Sequence, residues 1–165
     1  MAERPIFSRN RCTSVLKVDD RTMRSTCRLQ DTLTDAEVEI DVRLPDLEIV
    51  AVRSGFKRTM GDVCREPNEA LQKVIGVRVG PGMLKIIKGL VGESSDCGQA
   101  AFMVEECCHG IILSFTKETL MQAPLGEELT ADHYGEMVRK NIRLYNRCAA
   151  FAPGSSMVEG IEPPQ

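Results

Sequence analysis

The chain has 165 residues, 42% of them hydrophobic and 27% charged, with a formal net charge of −3. A chain of that length forms one domain that buries roughly 70% of the surface it would expose unfolded, so a core forms without staples. The composition excludes disorder, no run approaches the ~20 apolar residues of a membrane span, and an acidic balance with no Trp and two Tyr speaks against a nucleic-acid partner.

Seven cysteines is many for this length, and the number is odd. The opening Met-Ala-Glu-Arg-Pro has no apolar secretory segment, so the sequence reads as a cytoplasmic protein with reduced thiols, off the membrane. Most of those thiols belong in the core, because free cysteine is among the most buried residue types.

The first third reads as an antiparallel meander. Val38 to Leu44 alternates apolar and charged residues without a break, which places Val38, Ile40, Val42 and Leu44 on one buried face. Met23 to Leu29 alternates as well, with turn residues Leu33-Thr34-Asp35 between the two runs. Symmetric pairing about that turn sets Leu29 opposite Val38, Cys27 opposite Ile40 and Arg28 opposite Glu39. Pro45-Asp46 separates a fourth strand, Leu47 to Val52, and Ser14 to Val18 reads as a weaker first one.

From Gly61 the period changes to that of helices. Pro67 suits the first turn of a helix carrying Ala70, Leu71, Val74 and Ile75, and Gly76 ends or bends it. Gly80-Pro81-Gly82 breaks the chain before Met83, Leu84, Ile86, Ile87 and Leu90. Ser94, Ser95 and Asp96 offer caps for a central helix with Cys97, Ala101, Val104, Cys108, Ile111 and Phe115 on one stripe. A last helix, Thr130 to Phe151, carries Tyr134, Met137, Val138, Ile142, Tyr145 and Cys148. The expectation is an α+β fold, an N-terminal antiparallel β-meander of about four strands packed against C-terminal helices. Residues 1–152 form a single domain, and 153–165, rich in Gly, Ser and Pro, form a flexible tail.

The candidate chemistry centres on Cys64 and Cys97, each read beside a helix start, where unpaired backbone N–H groups favour the nucleophilic, metal-binding thiolate. The bland alternative is a pair of half-buried thiols, since structural zinc and iron–sulfur sites normally bring Cys-x-x-Cys pairs and none is present. Cys107-Cys108-His109 does not converge on one ion, because consecutive helical residues point about 100° apart, and Cys108 lies roughly 16 Å from Cys97 along an unbroken helix. His133, beside Asp132 and three residues before Glu136, reads as a hydrogen-bonded surface histidine. Gly80-Pro81-Gly82 lacks the Walker and dinucleotide patterns, adjacent Glu105 and Glu106 do not share a helical face, and basic Arg139–Arg147 alternates with apolar residues as a solvated face does.

In order, the charged hairpin, Arg58-x-Met60-x-x-x-Cys64, Leu71, Ile75-Gly76-Val77-Arg78-Val79-Gly80-Pro81-Gly82, Gly92 and Cys97 resemble an uncharacterised bacterial domain-of-unknown-function family, the one numbered 2889, over roughly residues 7 to 115. The resemblance implies a small intracellular bacterial protein and aligns Cys64 and Cys97 with the family's cysteines. The family pattern has proline where Met60 stands and Gly-Cys-Thr-His-Leu where this chain reads Asp96-Cys97-Gly98-Gln99-Ala100. Gln99 thus replaces a histidine, which removes one member of any Cys-x-His site.

Three functions follow from the residues. The first is a binding or accessory protein holding zinc, an iron–sulfur cluster or a thiol-linked ligand at Cys64 and Cys97, with Asp96, Gln99 and Arg58 around them; a shared metal requires sulfurs within about 4 Å of each other. The second is a noncatalytic subunit that binds a protein partner, or a second copy in a homo-oligomer, with the cysteines in its core. The third is an enzyme with Cys97 as thiol nucleophile.

Overall fold

The computed structural model describes residues 6–59, 68–92, 98–121, 130–146 and 148–162. Four antiparallel strands, β1 (Arg9–Asp19), β2 (Thr22–Asp31), β3 (Asp35–Arg43) and β4 (Glu48–Arg58), lie in the order of the sequence. Helices follow: α1 (Asn68–Gln72), α2 (Met83–Ile87) running into a π-helical turn at Lys88–Gly92, α3 (Gly98–Met121) and α4 (Ala131–Lys140). The α+β fold with an N-terminal meander is therefore present as the residue pattern predicts. No described helix is long and apolar enough to cross a membrane.

The alternation in β2 and β3 separates two faces. Met23, Cys27, Leu29, Ala36, Val38, Ile40 and Val42 are buried on one. The other carries an ion-pair lattice in which Arg24 and Arg53 both bond Asp41, at 2.7 Å each, and both approach Glu39. The pairing of β2 with β3 differs from the symmetric expectation by two residues: Cys27 faces Val38, Ser25 faces Ile40 and Arg28 faces Glu37. The turn is centred one residue earlier than expected: Asp31 Oδ1 accepts the N–H groups of Leu33 and Thr34 at 2.7 and 2.6 Å and the Asp31 N–H donates to the Thr34 carbonyl. A shift of two leaves every side chain on its expected face.

β1 is longer than the Ser14–Val18 expected, and ten of its eleven residues are exposed. An edge strand with side chains largely exposed on both faces has little reason to alternate, so its first half, Arg-Asn-Arg-Cys-Thr-Ser, carries no strand signal. The other edge is covered where β4 begins. Ile49 N–H donates to the Val77 carbonyl, Gly76 N–H to the Ile49 carbonyl and Val79 N–H to the Leu47 carbonyl.

α3 supplies Ala100, Met103, Val104, Cys107 and Ile111 to the core. It comes so close to the sheet that a Cβ at Gly110 would lie 2.9 Å from Thr13 Cγ2 and 3.1 Å from both Ser25 Oγ and Val15 Cγ2. Gly82 precedes α2 at φ 81°, a left-handed conformation that only glycine adopts at little cost.

The chain divides into two compact units, residues 1–111 and 112–165. In the second, the single helix expected over Thr130 to Phe151 stops at Lys140: Asn141 leaves helical backbone and Asn146 sits at φ 55°, a conformation asparagine tolerates. A 3-10 turn at Ile142–Leu144 then buries Leu144 with Val138 and Val158. Val158 belongs to the segment read from sequence as a flexible tail, and it is 4% exposed.

Candidate functional site

Cys64, Asp96 and Cys97, together with Met60 and Pro67, lie outside the described residues. Gln99 and Arg58 are described. Gln99, half-buried in the first turn of α3, lines a cleft of about 260 Å3 with Gly98, Phe102, Arg9, Arg11 and Leu29. Gly98 follows Cys97 directly in the chain.

β1 brings the two arginines to this cleft because Arg9 and Arg11, two residues apart on a strand, project from the same face. Arg9 Nε donates to Asp31 Oδ2 at 2.7 Å, and its guanidinium lies 5.4 Å from the Phe7 ring. Arg11 has its guanidinium 5.0 Å over the Phe102 ring, and among the described residues no carboxylate pairs with it. An exposed cation–π contact is worth ~0.5–1 kcal/mol, less than a charge-assisted hydrogen bond at ~1.5–3 kcal/mol, so an anion can take Arg11 over.

Asp31 organises this end of the sheet. Burial pushes its carboxyl pKa up, but the Leu33 N–H, the Arg9 guanidinium and the Thr34 N–H together outweigh that and hold it below the ordinary carboxylate value. Its main-chain carbonyl accepts from Arg58 Nη2 at 2.5 Å. Arg9 and Arg58 are thus fixed by the same residue. Of the residues named from sequence, Gln99 lines this cleft and Arg58 does not; Arg9, Arg11 and Phe102 were not named, since β1 was expected to begin beyond both arginines, and the i, i+2 spacing of the two cations was the available signal.

The described thiols divide by environment. Cys12 and Cys148 are exposed, and Cys27, Cys107 and Cys108 are buried. Cys107 Sγ donates to the Val38 carbonyl at 3.5 Å, and burial, with Cys27 and Cys108 nearby, pushes its pKa far up. Burial, reinforced by Glu105, raises Cys108 to about 12, and burial raises Cys27. Such thiols stay protonated and are poor nucleophiles and poor ligands. His109 Nδ1 lies 3.8 Å from Glu106 Oε1, and His133 Nδ1 lies 3.1 Å from Thr130 Oγ1. No group of three or more His, Cys, Asp or Glu among the described residues could hold a metal ion.

A second concavity, about 310 Å3, opens around Gly55 on the charged face of the sheet, but Arg28 and Glu37 at its wall already pair with each other. The chain matches no family model, no curated protein and no solved structure.

Proposed function

We propose that the protein is a small cytoplasmic binding or accessory protein with no catalysis of its own, whose site is the Arg9–Arg11–Gln99–Phe102 cleft, and whose ligand presents an anionic group. One observation carries this reading: Arg11, parked on an aromatic ring with no carboxylate partner among the described residues, faces an apolar-floored cleft that also holds a half-buried amide, Gln99. The mixture of an apolar floor with a few converging polar groups is that of a ligand site. Its volume falls just below the ~300–1,000 Å3 of typical pockets, which suits a group of a few heavy atoms. The free state of all five described cysteines supports a reducing compartment. Membership of the bacterial family that the sequence resembles belongs to the same proposal.

The test is a titration of isotope-labelled protein with phenylacetate, followed by amide and side-chain chemical shifts. Saturable shifts at Gln99, Phe102 and Arg11, lost in Arg11→Ala, support the reading. Shifts elsewhere, or none at millimolar ligand, refute it.

A further inference from the structure

The ion-pair lattice on the charged face of the sheet stops short of one end. Across β2, β3 and β4 the register sets Thr26, Glu39 and Arg53 in one row, Arg28, Glu37 and Gly55 in the next, and Gln30, Asp35 and Arg58 in the last. In the first row Arg53 bonds Glu39 and reaches on to Asp41. In the second, β4 offers glycine where its neighbour row offers arginine, so among the described residues Glu37 pairs with Arg28 alone. In the third, Arg58 turns to the Asp31 carbonyl, and the Asp35 carboxylate meets no described cation. Nothing lies within 4 Å of where a Cβ at Gly55 would stand, and its backbone is not left-handed, so neither space nor conformation requires glycine there. Glycine weakens a strand interior and often marks a place where a ligand approaches closely. The ladder also bulges here: Asp35 faces Arg58 and Ala36 faces Phe56, which leaves Lys57 as the extra residue. Bulges re-aim side chains beside binding sites, and Lys57 is exposed with no carboxylate partner among the described residues.

We propose that the concavity of about 310 Å3 around Gly55 binds a small zwitterion, with its ammonium group in the gap between Asp35 and Glu37 and its carboxylate on Lys57. Asp35 and Glu37, two residues apart on β3, project from the same face, and both line the concavity together with Lys57 and Gln30. Charge decides the ligand class. Arg28 and Glu37 neutralise each other, so what remains in one cavity is an acid and a base that pair neither with each other nor with any described residue. A simple cation would answer Asp35 and leave Lys57 unmet, and a simple anion would do the reverse. A molecule carrying both groups satisfies both through charge-assisted hydrogen bonds, the strong ones. None of these charged residues belongs to the Arg11 cleft, so the two sites stand or fall separately.

The experiment titrates the isotope-labelled full chain, at constant ionic strength, with glycine, β-alanine and 4-aminobutyrate, and with methylammonium and acetate as controls that carry one charge each, following amide shifts. The expected result is saturable shifts at Asp35, Glu37 and Gly55 with at least one of the amino acids, at least tenfold weaker binding of either control, at least tenfold weaker binding to Lys57→Gln, and no binding to Gly55→Arg, whose guanidinium fills the gap beside Glu37. Open space around the Gly55 Cβ position leaves Gly55→Arg folded, which its amide spectrum checks. Should that variant not fold, Lys57→Gln, an exposed substitution, decides by the same tenfold criterion. No shift with any of the amino acids at tens of millimolar would overturn the proposal. Methylammonium or acetate binding as tightly as the amino acids would overturn it in favour of a site for a single ion, and undiminished binding to folded Gly55→Arg would overturn the location.

Discussion

Gly110→Ala sets two effects of known size against each other. Replacing glycine by alanine in a helix interior is worth about 1 kcal/mol in favour of alanine. At this position, however, the added methyl would lie 2.9 Å from Thr13 Cγ2 and 3.1 Å from Val15 Cγ2 and Ser25 Oγ. Carbon atoms make their best contacts at ~3.5–4.0 Å, so the overlap is several tenths of an ångström on three sides at once. Forcing a methyl into a packed interior costs ~1–3 kcal/mol, and the strand residues cannot move without disturbing the β1–β2 ladder. The net expectation is a loss of up to about 2 kcal/mol in urea unfolding, about 1 kcal/mol at the middle of the range. Gly89→Ala, in the π-helical turn with nothing within 4 Å, should gain up to about 1 kcal/mol. Thr13→Ser removes the closest methyl while keeping the hydroxyl, so the Thr13→Ser/Gly110→Ala pair should show a favourable coupling of at least about 0.5 kcal/mol. Gly110→Ala more stable than the parent by the full helix-propensity gain of about 1 kcal/mol, or a pair that is merely additive, would refute the close approach of α3 to β1.

Iodoacetamide followed by mass spectrometry should modify Cys12 and Cys148 in the folded protein and reach Cys27, Cys107 and Cys108 only after denaturation. Because burial raises those three thiols above their ordinary 9.0, the stability they contribute is complete below pH 9 and is lost as pH rises, by about 1.4 kcal/mol per pH unit for each thiol that ionises on unfolding; unfolding midpoints between pH 8 and 11 check this. Burial raises Asp41, but hydrogen bonds from Arg24 and Arg53 overcome it and leave the carboxyl below the ordinary 3.8, so its contribution is present above about pH 4 and disappears as pH falls through the folded value. Asp41→Asn should therefore flatten the acid limb of the stability profile while leaving the alkaline limb unchanged. If Cys64 and Cys97 hold a metal, protein purified without oxygen carries stoichiometric zinc or iron that Cys64→Ser/Cys97→Ser loses with its far-ultraviolet circular dichroism intact; a metal-free parent makes them ordinary thiols.

The sequence patterns that proved readable were those in which burial imposes a period. Val38, Ile40 and Val42 alternate because one face of β3 is dry, and Ala101, Val104, Cys108 and Ile111 recur at helical spacing because α3 lies on a core. β1 imposes no period, since ten of its eleven residues are exposed, and the arginines that line the cleft were hidden with it. The turn from β3 to β4 was opaque for another reason: Leu47, a buried leucine, sits at φ 57°, a conformation that no propensity assigns to it. In the second unit, the stripe from Tyr134 to Cys148 suggested one helix. The actual chain breaks at Asn141 and uses Val158, distant in sequence, to cover Val138 and Leu144. Local periodicity carries no information about a partner that far along the chain.

The error in the β2–β3 register and the omission of the cleft have a single source, Asp31. As an aspartate at a strand end it reads as ordinary turn chemistry, yet one carboxylate oxygen bonds two turn amides and thereby sets the turn one residue earlier, while the other holds Arg9. Its carbonyl holds Arg58. The alignment of β2 with β3 and the placing of the arginine that precedes Arg11 therefore depend on one side chain. Arg9 is neutralised by that bond and serves as a fixed wall, which leaves Arg11 as the cation to meet a ligand. A carboxylate that entered the cleft would find one arginine already satisfied and one displaceable from Phe102, so a monoanionic group suits the site better than a dianion that needs two free guanidinium groups.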